Sequence, residues 1–118
     1  MAKKRILICD DEEGVRESLK LILEDDYALD FAENGIEAIS KVKKNTFDLV
    51  ILDIKMPKIS GLEVLKELKK VSPLAKVMIA SGYKSVEAAS EAVKYGAVDY
   101  IVKPFDTSDV QNKVSAVI

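Results

Sequence analysis

A chain of 118 residues with 48% apolar and 32% charged side chains is the size of one ordinary folded domain, neither disordered nor built to span a membrane. Its formal net charge of −2 argues against a dedicated nucleic-acid surface. One cysteine and no histidine exclude an internal disulfide, a cysteine-built zinc site, Ser–His and Cys–His nucleophile systems and histidine-ligated metals. Chemistry must therefore come from carboxylates, lysine, hydroxyls or the backbone.

The elements alternate along the chain, and residues 1–118 read as a single domain. Lys3, Lys4 and Arg5 lead straight into a first strand, Arg5 to Cys9, with no secretory signal visible, so a cytoplasmic location is expected. Within that strand Cys9 reads as a buried core thiol rather than a reactive one. A helical stripe of Val15, Leu19, Ile22 and Leu23 follows. The run Tyr27 to Ala32 alternates through Tyr27, Leu29 and Phe31, as an edge strand does. Asn34 with Glu37 starts a second helix, marked by Ala38, Ile39 and Val42. Leu49 to Leu52 is continuously apolar, the pattern of a strand buried on both faces of a parallel sheet. Ser60 with Glu63 reads as a capping box before a third stripe of Leu62, Leu65 and Leu68.

Lys76 to Ala80 is a further apolar strand, followed by a fourth stripe of Val86, Ala89, Ala92 and Val93 that Gly96 closes as a C-terminal cap. Tyr100 to Val102 is the fifth strand, and Val110, Val114 and Val117 mark the fifth helix. Strict βα alternation predicts a three-layer α/β domain, a five-stranded parallel sheet with right-handed crossovers and five helices on both faces.

Ligands of such sheets bind beyond the carboxyl ends of the strands. Asp10 and Asp11 follow the first strand, Asp53 the third, Ser81 the fourth and Lys103 the fifth. Taken singly, each has an ordinary explanation: an acid pair at a helix start, an N-cap, a Ser-Gly turn, a solvated lysine. Together on one edge they form a coherent set. Crowded carboxylates repel one another and raise one another's pKa, and a hard divalent cation with oxygen ligands relieves that repulsion. A lysine and a hydroxyl then receive an anion, which is the apparatus of phosphoryl transfer, with a carboxylate as nucleophile.

These residues resemble bacterial response regulator receiver domains, of the chemotaxis-receiver-like type used in two-component signalling. The resemblance is carried by Asp10-Asp11-Glu12-Glu13, by Leu52-Asp53-Ile54-Lys55-Met56-Pro57 with Gly61, by Ala80-Ser81-Gly82, and by Asp99-Tyr100-Ile101-Val102-Lys103-Pro104-Phe105. It covers essentially the whole chain. It implies a flavodoxin-like sheet of strand order 2-1-3-4-5, an order the general rules already give for a chemotaxis receiver. It implies that Asp53 accepts the phosphoryl group from a sensor histidine kinase or a phosphotransfer protein. It implies Mg²⁺, or Mn²⁺ in its place, held by Asp11, by Asp10 through water, by Asp53 and by the backbone carbonyl of Lys55.

The same resemblance gives Lys103 and Ser81 to the phosphoryl group, a small residue at Gly82 where that group enters, a Ser81–Tyr100 switch, and a cis bond before Pro104. Lys55 and Tyr83 flank the site and are expected to tune the phosphoryl lifetime. Output is expected through the fourth helix, fifth strand and fifth helix, to an output domain, a partner protein or a phosphorylation-dependent second copy, with no direct binding to nucleic acid or membrane. The stretch Ser81 to Phe105 is also similar to receivers that control enhancer-dependent transcription ATPases.

Two rival readings use the same residues. A Mg²⁺-dependent phosphatase would use Asp53 on outside substrates. It is disfavoured because Lys55 stands where haloacid-dehalogenase-type phosphatases carry a second aspartate, and because no cap insertion is present. A phosphorylation-independent pseudo-receiver is disfavoured because every site residue is present. The chain is therefore expected not to be an enzyme on external substrates, catalysing only its own phosphorylation and dephosphorylation.

Overall fold

The computed structural model describes residues 3–56, 59–82 and 86–118. Ten elements alternate without exception: β1 (Arg5–Cys9), α1 (Glu13–Leu23), β2 (Ala28–Ala32), α2 (Gly35–Lys44), β3 (Leu49–Asp53), α3 (Gly61–Val71), β4 (Lys76–Gly82), α4 (Val86–Lys94), β5 (Asp99–Lys103) and α5 (Thr107–Val117). All strand pairs are parallel, and the sheet order is β2-β1-β3-β4-β5. Tyr83, Ser85 and Pro57 lie outside the described residues.

The apolar strands are buried because helices cover both faces, as period-two alternation allows. Leu7, Cys9, Val50, Leu52, Val77 and Ile79 face one core, shared with α2, α3 and α4 through Val42, Leu65, Leu68 and Ala92. Ile6, Ile8, Leu49, Ile51, Met78 and Ile101 face the other, shared with α1 and α5 through Leu19, Leu23, Val110 and Val114. Each fully buried Val, Leu, Ile or Met among them contributes about 1.5–3 kcal/mol. Among the described residues, no helix is long and apolar enough to cross a membrane.

Local signals set the element ends. Asn34 Oδ1 accepts from the Glu37 amide at 2.9 Å and Ser60 Oγ from the Glu63 amide at 3.3 Å, so both expected caps form. Gly96 closes α4 at φ 106°, a left-handed conformation that favours glycine. Asp106 caps α5, accepting from the Asp109 amide at 3.0 Å.

Some boundaries differ from the sequence-based expectation. β2 begins at Ala28 because the Tyr27 amide is drawn back to Leu23 O at 3.1 Å, in the turn that ends α1. β3, β4 and β5 run further than their apolar runs, because the ladder continues through Asp53↔Ala80, Ser81↔Val102 and Gly82↔Lys103. Val93 is 41% exposed rather than inward, while its neighbour Ala92 is fully buried. On α3, Val64 takes the buried place and Leu62 lies at its margin.

The start of α3 is seated on the end of β3. The Gly61 amide donates to Ile54 O at 2.9 Å, and a Cβ at Gly61 would meet Asp53 O at 2.2 Å and Ile54 Cα at 2.6 Å. Backbone cannot yield there as a flexible side chain would. Gly61→Ala is therefore expected to lower unfolding free energy by about 1–3 kcal/mol, read by urea denaturation. It should also shift the Asp53 amide resonance.

Candidate functional site

The parallel register assembles the site. Cys9 pairs with Leu52, so the next residues, Asp10 and Asp53, come side by side. Asp53 pairs with Ala80, which brings Ser81 beside it, and Gly82 pairs with Lys103. Asp53, Ser81 and Lys103 thus sit within the last rungs of their strands rather than after them, and Asp10 lies one residue past β1.

Asp10 is 1% exposed, Asp53 5% and Ser81 0%. Lys103 Nζ stands between the two acids, 2.9 Å from Asp10 Oδ2 and 3.5 Å from Asp53 Oδ1. Asp10 is gripped on every polar atom. Its amide donates to Ala32 O at 3.1 Å, Oδ1 accepts from the Glu12 amide at 2.9 Å, and its carbonyl accepts from Arg16 Nη1 at 2.7 Å. The Lys55 amide donates weakly to Asp53 Oδ1 at 3.4 Å. The peptide bond between Lys103 and Pro104 is cis.

Burial, reinforced by the negative charge of Asp10, pushes the Asp53 carboxyl up to about 6, against the opposing pull of Lys103 and the Lys55 amide. Burial alone would lower Lys103, but its hydrogen bond to Asp10 and the charges of Asp53 and Asp10 outweigh that and hold it above the ordinary lysine range. Burial, with Asp10 next, likewise pushes the Cys9 thiol up to about 12, so Cys9 is an inert core group.

The donor set suits a hard divalent cation. Carboxylate oxygens of Asp10, Asp11 and Glu12 lie within 4.8 Å of one another, and Asp11 and Glu12 are exposed. Asp53 lies across the Lys103 ammonium from that cluster. Ser81 Oγ is buried with no hydrogen-bond partner among the described residues. Among the described residues, a Cβ at Gly82 would meet nothing within 4 Å.

Tyr100 lies apart from this cluster, half-buried on β5, with the Lys113 ammonium 5.3 Å from its ring centroid. Lys113 also donates to Tyr100 O at 2.8 Å. Sequence reasoning missed Arg16. Its position on the first turns of α1, six residues after Asp10, was the available signal.

In the metal-free protein the Asp53 shift has a definite sign. Its folded pKa, about 6, exceeds the ordinary 3.8, so the folded state holds the proton more tightly. Below both values Asp53 costs nothing. The penalty grows as pH rises through that window and is complete above it. Asp53→Asn is therefore expected to stabilise the metal-free protein by about 1–3 kcal/mol at neutral pH, with the gain vanishing in acid. Thermal denaturation as a function of pH checks it.

The response regulator receiver domain family matches residues 6–115. The chain is 42% identical over 117 residues to the chemotaxis protein CheY of Thermotoga maritima, covering 95% of this chain and 98% of that one. It is 40% identical over 111 residues to the transcriptional regulatory protein ZraR of Klebsiella oxytoca, covering 93% of this chain but 25% of ZraR. The chain thus spans about a quarter of that relative's length. A CheY-like receiver domain protein from Methanospirillum hungatei superimposes with a TM-score of 0.90 at 34% identity, covering 98% of this chain and 93% of the other. With the sheet order, the carboxylate edge and these matches in agreement, the chain belongs to the response regulator receiver domain family of two-component signalling.

Proposed function

We propose that this chain is a phosphorylation switch that takes a phosphoryl group onto Asp53 and reports it through α4, β5 and α5. The observation that carries the reading is the Lys103 bridge between two buried carboxylates on adjacent strands, at 2.9 and 3.5 Å. One cation shared by two buried acids leaves the site electrostatically short of positive charge. It also places an ammonium beside the nucleophile.

In this reading an Asp53 oxygen attacks phosphorus of a phosphohistidine on a sensor kinase or phosphotransfer protein. A P–O bond to the carboxylate forms while the P–N bond breaks, and that electron pair leaves with the imidazole. Bound by Asp10, Asp11, Asp53 and the Lys55 carbonyl, Mg²⁺ (or Mn²⁺) supplies neutralisation of the phosphoryl charge. Lys103 swings from Asp10 onto a phosphoryl oxygen, and Ser81 Oγ donates to another. Gly82 leaves room for the group. The acyl phosphate is later hydrolysed, so the protein acts on itself rather than on an outside substrate.

The added charge, about −1.5 to −2, creates contacts available only in the phosphorylated state. Ser81 moving toward the phosphoryl group leaves space that Tyr100 turns into. Output then goes to a domain of the same polypeptide, a separate protein or a second copy, in the cytoplasm. The names of the relatives, a chemotaxis protein and a transcriptional regulator, support a signalling role without choosing among these.

Acetyl phosphate with Mg²⁺ should add one hydroxylamine-labile phosphoryl group, seen as a mass increase. Asp53→Asn should add none, and Asp11→Ala should lose Mg²⁺ binding and label slowly. Labelling of Asp53→Asn at the wild-type rate would place the acceptor elsewhere. Steady turnover of p-nitrophenyl phosphate would favour a phosphatase, and no labelling at all a pseudo-receiver.

The switch is tested separately. Beryllofluoride should shift amides across residues 86–105 as well as those around Asp53. Shifts confined to the loops around Asp53 would refute the output route.

A further inference from the structure

We propose that Arg16 is a positioning residue: by holding the main-chain carbonyl of Asp10, it keeps the Asp10–Asp11–Glu12 turn in the arrangement that a divalent cation requires. The inference rests on the reading of this turn as the Mg²⁺ site.

Asp10 lies where neither regular element serves its carbonyl. β1 ends at Cys9, and α1 begins at Glu13. The Asp10 amide is taken by Ala32 O and its carboxylate by the Glu12 amide and Lys103. The carbonyl of a residue 1% exposed needs a partner of its own. Arg16 Nη1 provides it at 2.7 Å, in the range of a charge-assisted bond.

The location of Arg16 is otherwise unfavourable. A cation in the first turns of a helix opposes the helix dipole, and the Arg16 side chain is only 13% exposed. The neighbouring acids Asp10, Asp11 and Glu12 offset that cost. The planar fork also engages a second loop, with Nη2 3.5 Å from Glu33 Oε1. Glu33 is 69% exposed, so that ion pair adds little energy, and the carbonyl contact is the one that orients the turn. Lysine lacks the planar fork and so cannot present two separate nitrogens, one to each partner, as Arg16 does.

The test is an amide-shift titration with MgCl₂ alone. Arg16→Met is expected to weaken Mg²⁺ binding by about tenfold, the lower end of what loss of an outer-sphere support costs. Arg16→Lys should fall between Arg16→Met and wild type, and Glu33→Gln should stay near wild type. In the metal-free protein, Arg16→Met should speed hydrogen exchange at the Glu12 amide. Leu19→Ala, buried on the same helix and remote from the turn, should lower thermal stability while leaving Mg²⁺ affinity of the folded protein unchanged.

Equal Mg²⁺ affinity in wild type, Arg16→Met and Arg16→Lys would overturn the proposal, as would a loss in Leu19→Ala matching that in Arg16→Met. If Arg16→Met does not fold, Arg16→Lys alone decides, with wild-type affinity and wild-type Glu12 exchange counting against. A wild-type protein that binds no Mg²⁺ would overturn the underlying metal reading and this inference with it.

Discussion

The structure turns on one ammonium group held between two carboxylates that the sheet has taken out of water. Lys103 reaches Asp10 at 2.9 Å and Asp53 at 3.5 Å. A buried, unpaired carboxylate is expensive, and a single cation cannot satisfy two. The imbalance is uneven. The Asp10 carboxylate has the closer ammonium contact and the Glu12 amide, while that of Asp53 has the longer contact and a weak amide bond. Burial, reinforced by the charge of Asp10, pushes the Asp53 carboxyl up to about 6. Of the two, it is the one with bonding capacity to spare.

Such a site persists because the rest of the molecule is conventional. Strands buried on both faces supply two apolar cores, and their burial offsets a local penalty at one edge. The parallel arrangement also sets where the polar groups end up. All five carboxyl ends lie on one edge, and the register places Asp10 beside Asp53 and Asp53 beside Ser81 without any loop having to fold back. Gly61 completes the arrangement by letting α3 start directly on the Asp53–Ile54 backbone.

The sequence made much of this legible, for reasons that differ from residue to residue. The apolar runs of β1, β3 and β4 were visible because buried parallel strands need no polar alternation. The caps at Asn34 and Ser60 were visible because they bond locally, three residues on. Strand ends were less visible, since Asp53, Ser81 and Lys103 are polar and look like the start of loops. They stay in the ladder because their backbones pair regardless of side chain. Val93 was misplaced because helical period alone cannot rank it against its buried neighbour Ala92. Arg16 was missed because its partner is a main-chain carbonyl, so only its place six residues after Asp10 hinted at it. The strand order and the roles of the site residues came from family resemblance; periodicity supplied neither.

Two strained features of the site point the same way. Asp53 holds its negative charge at a cost, and Ser81 carries a buried hydroxyl with no partner among the described residues, itself worth about 1–3 kcal/mol. A cation relieves the first and an oxygen-rich anion bonded to Asp53 relieves the second. Lys103, already a donor to both acids, needs only to exchange one oxygen for another. On the proposed reading, phosphorylation therefore draws part of its driving force from penalties present in the free protein. Those penalties sit on β3 and β4, and β4 is one of the two strands against which α4 packs. On that reading, relief at Ser81 acts on β4, which pairs with β5.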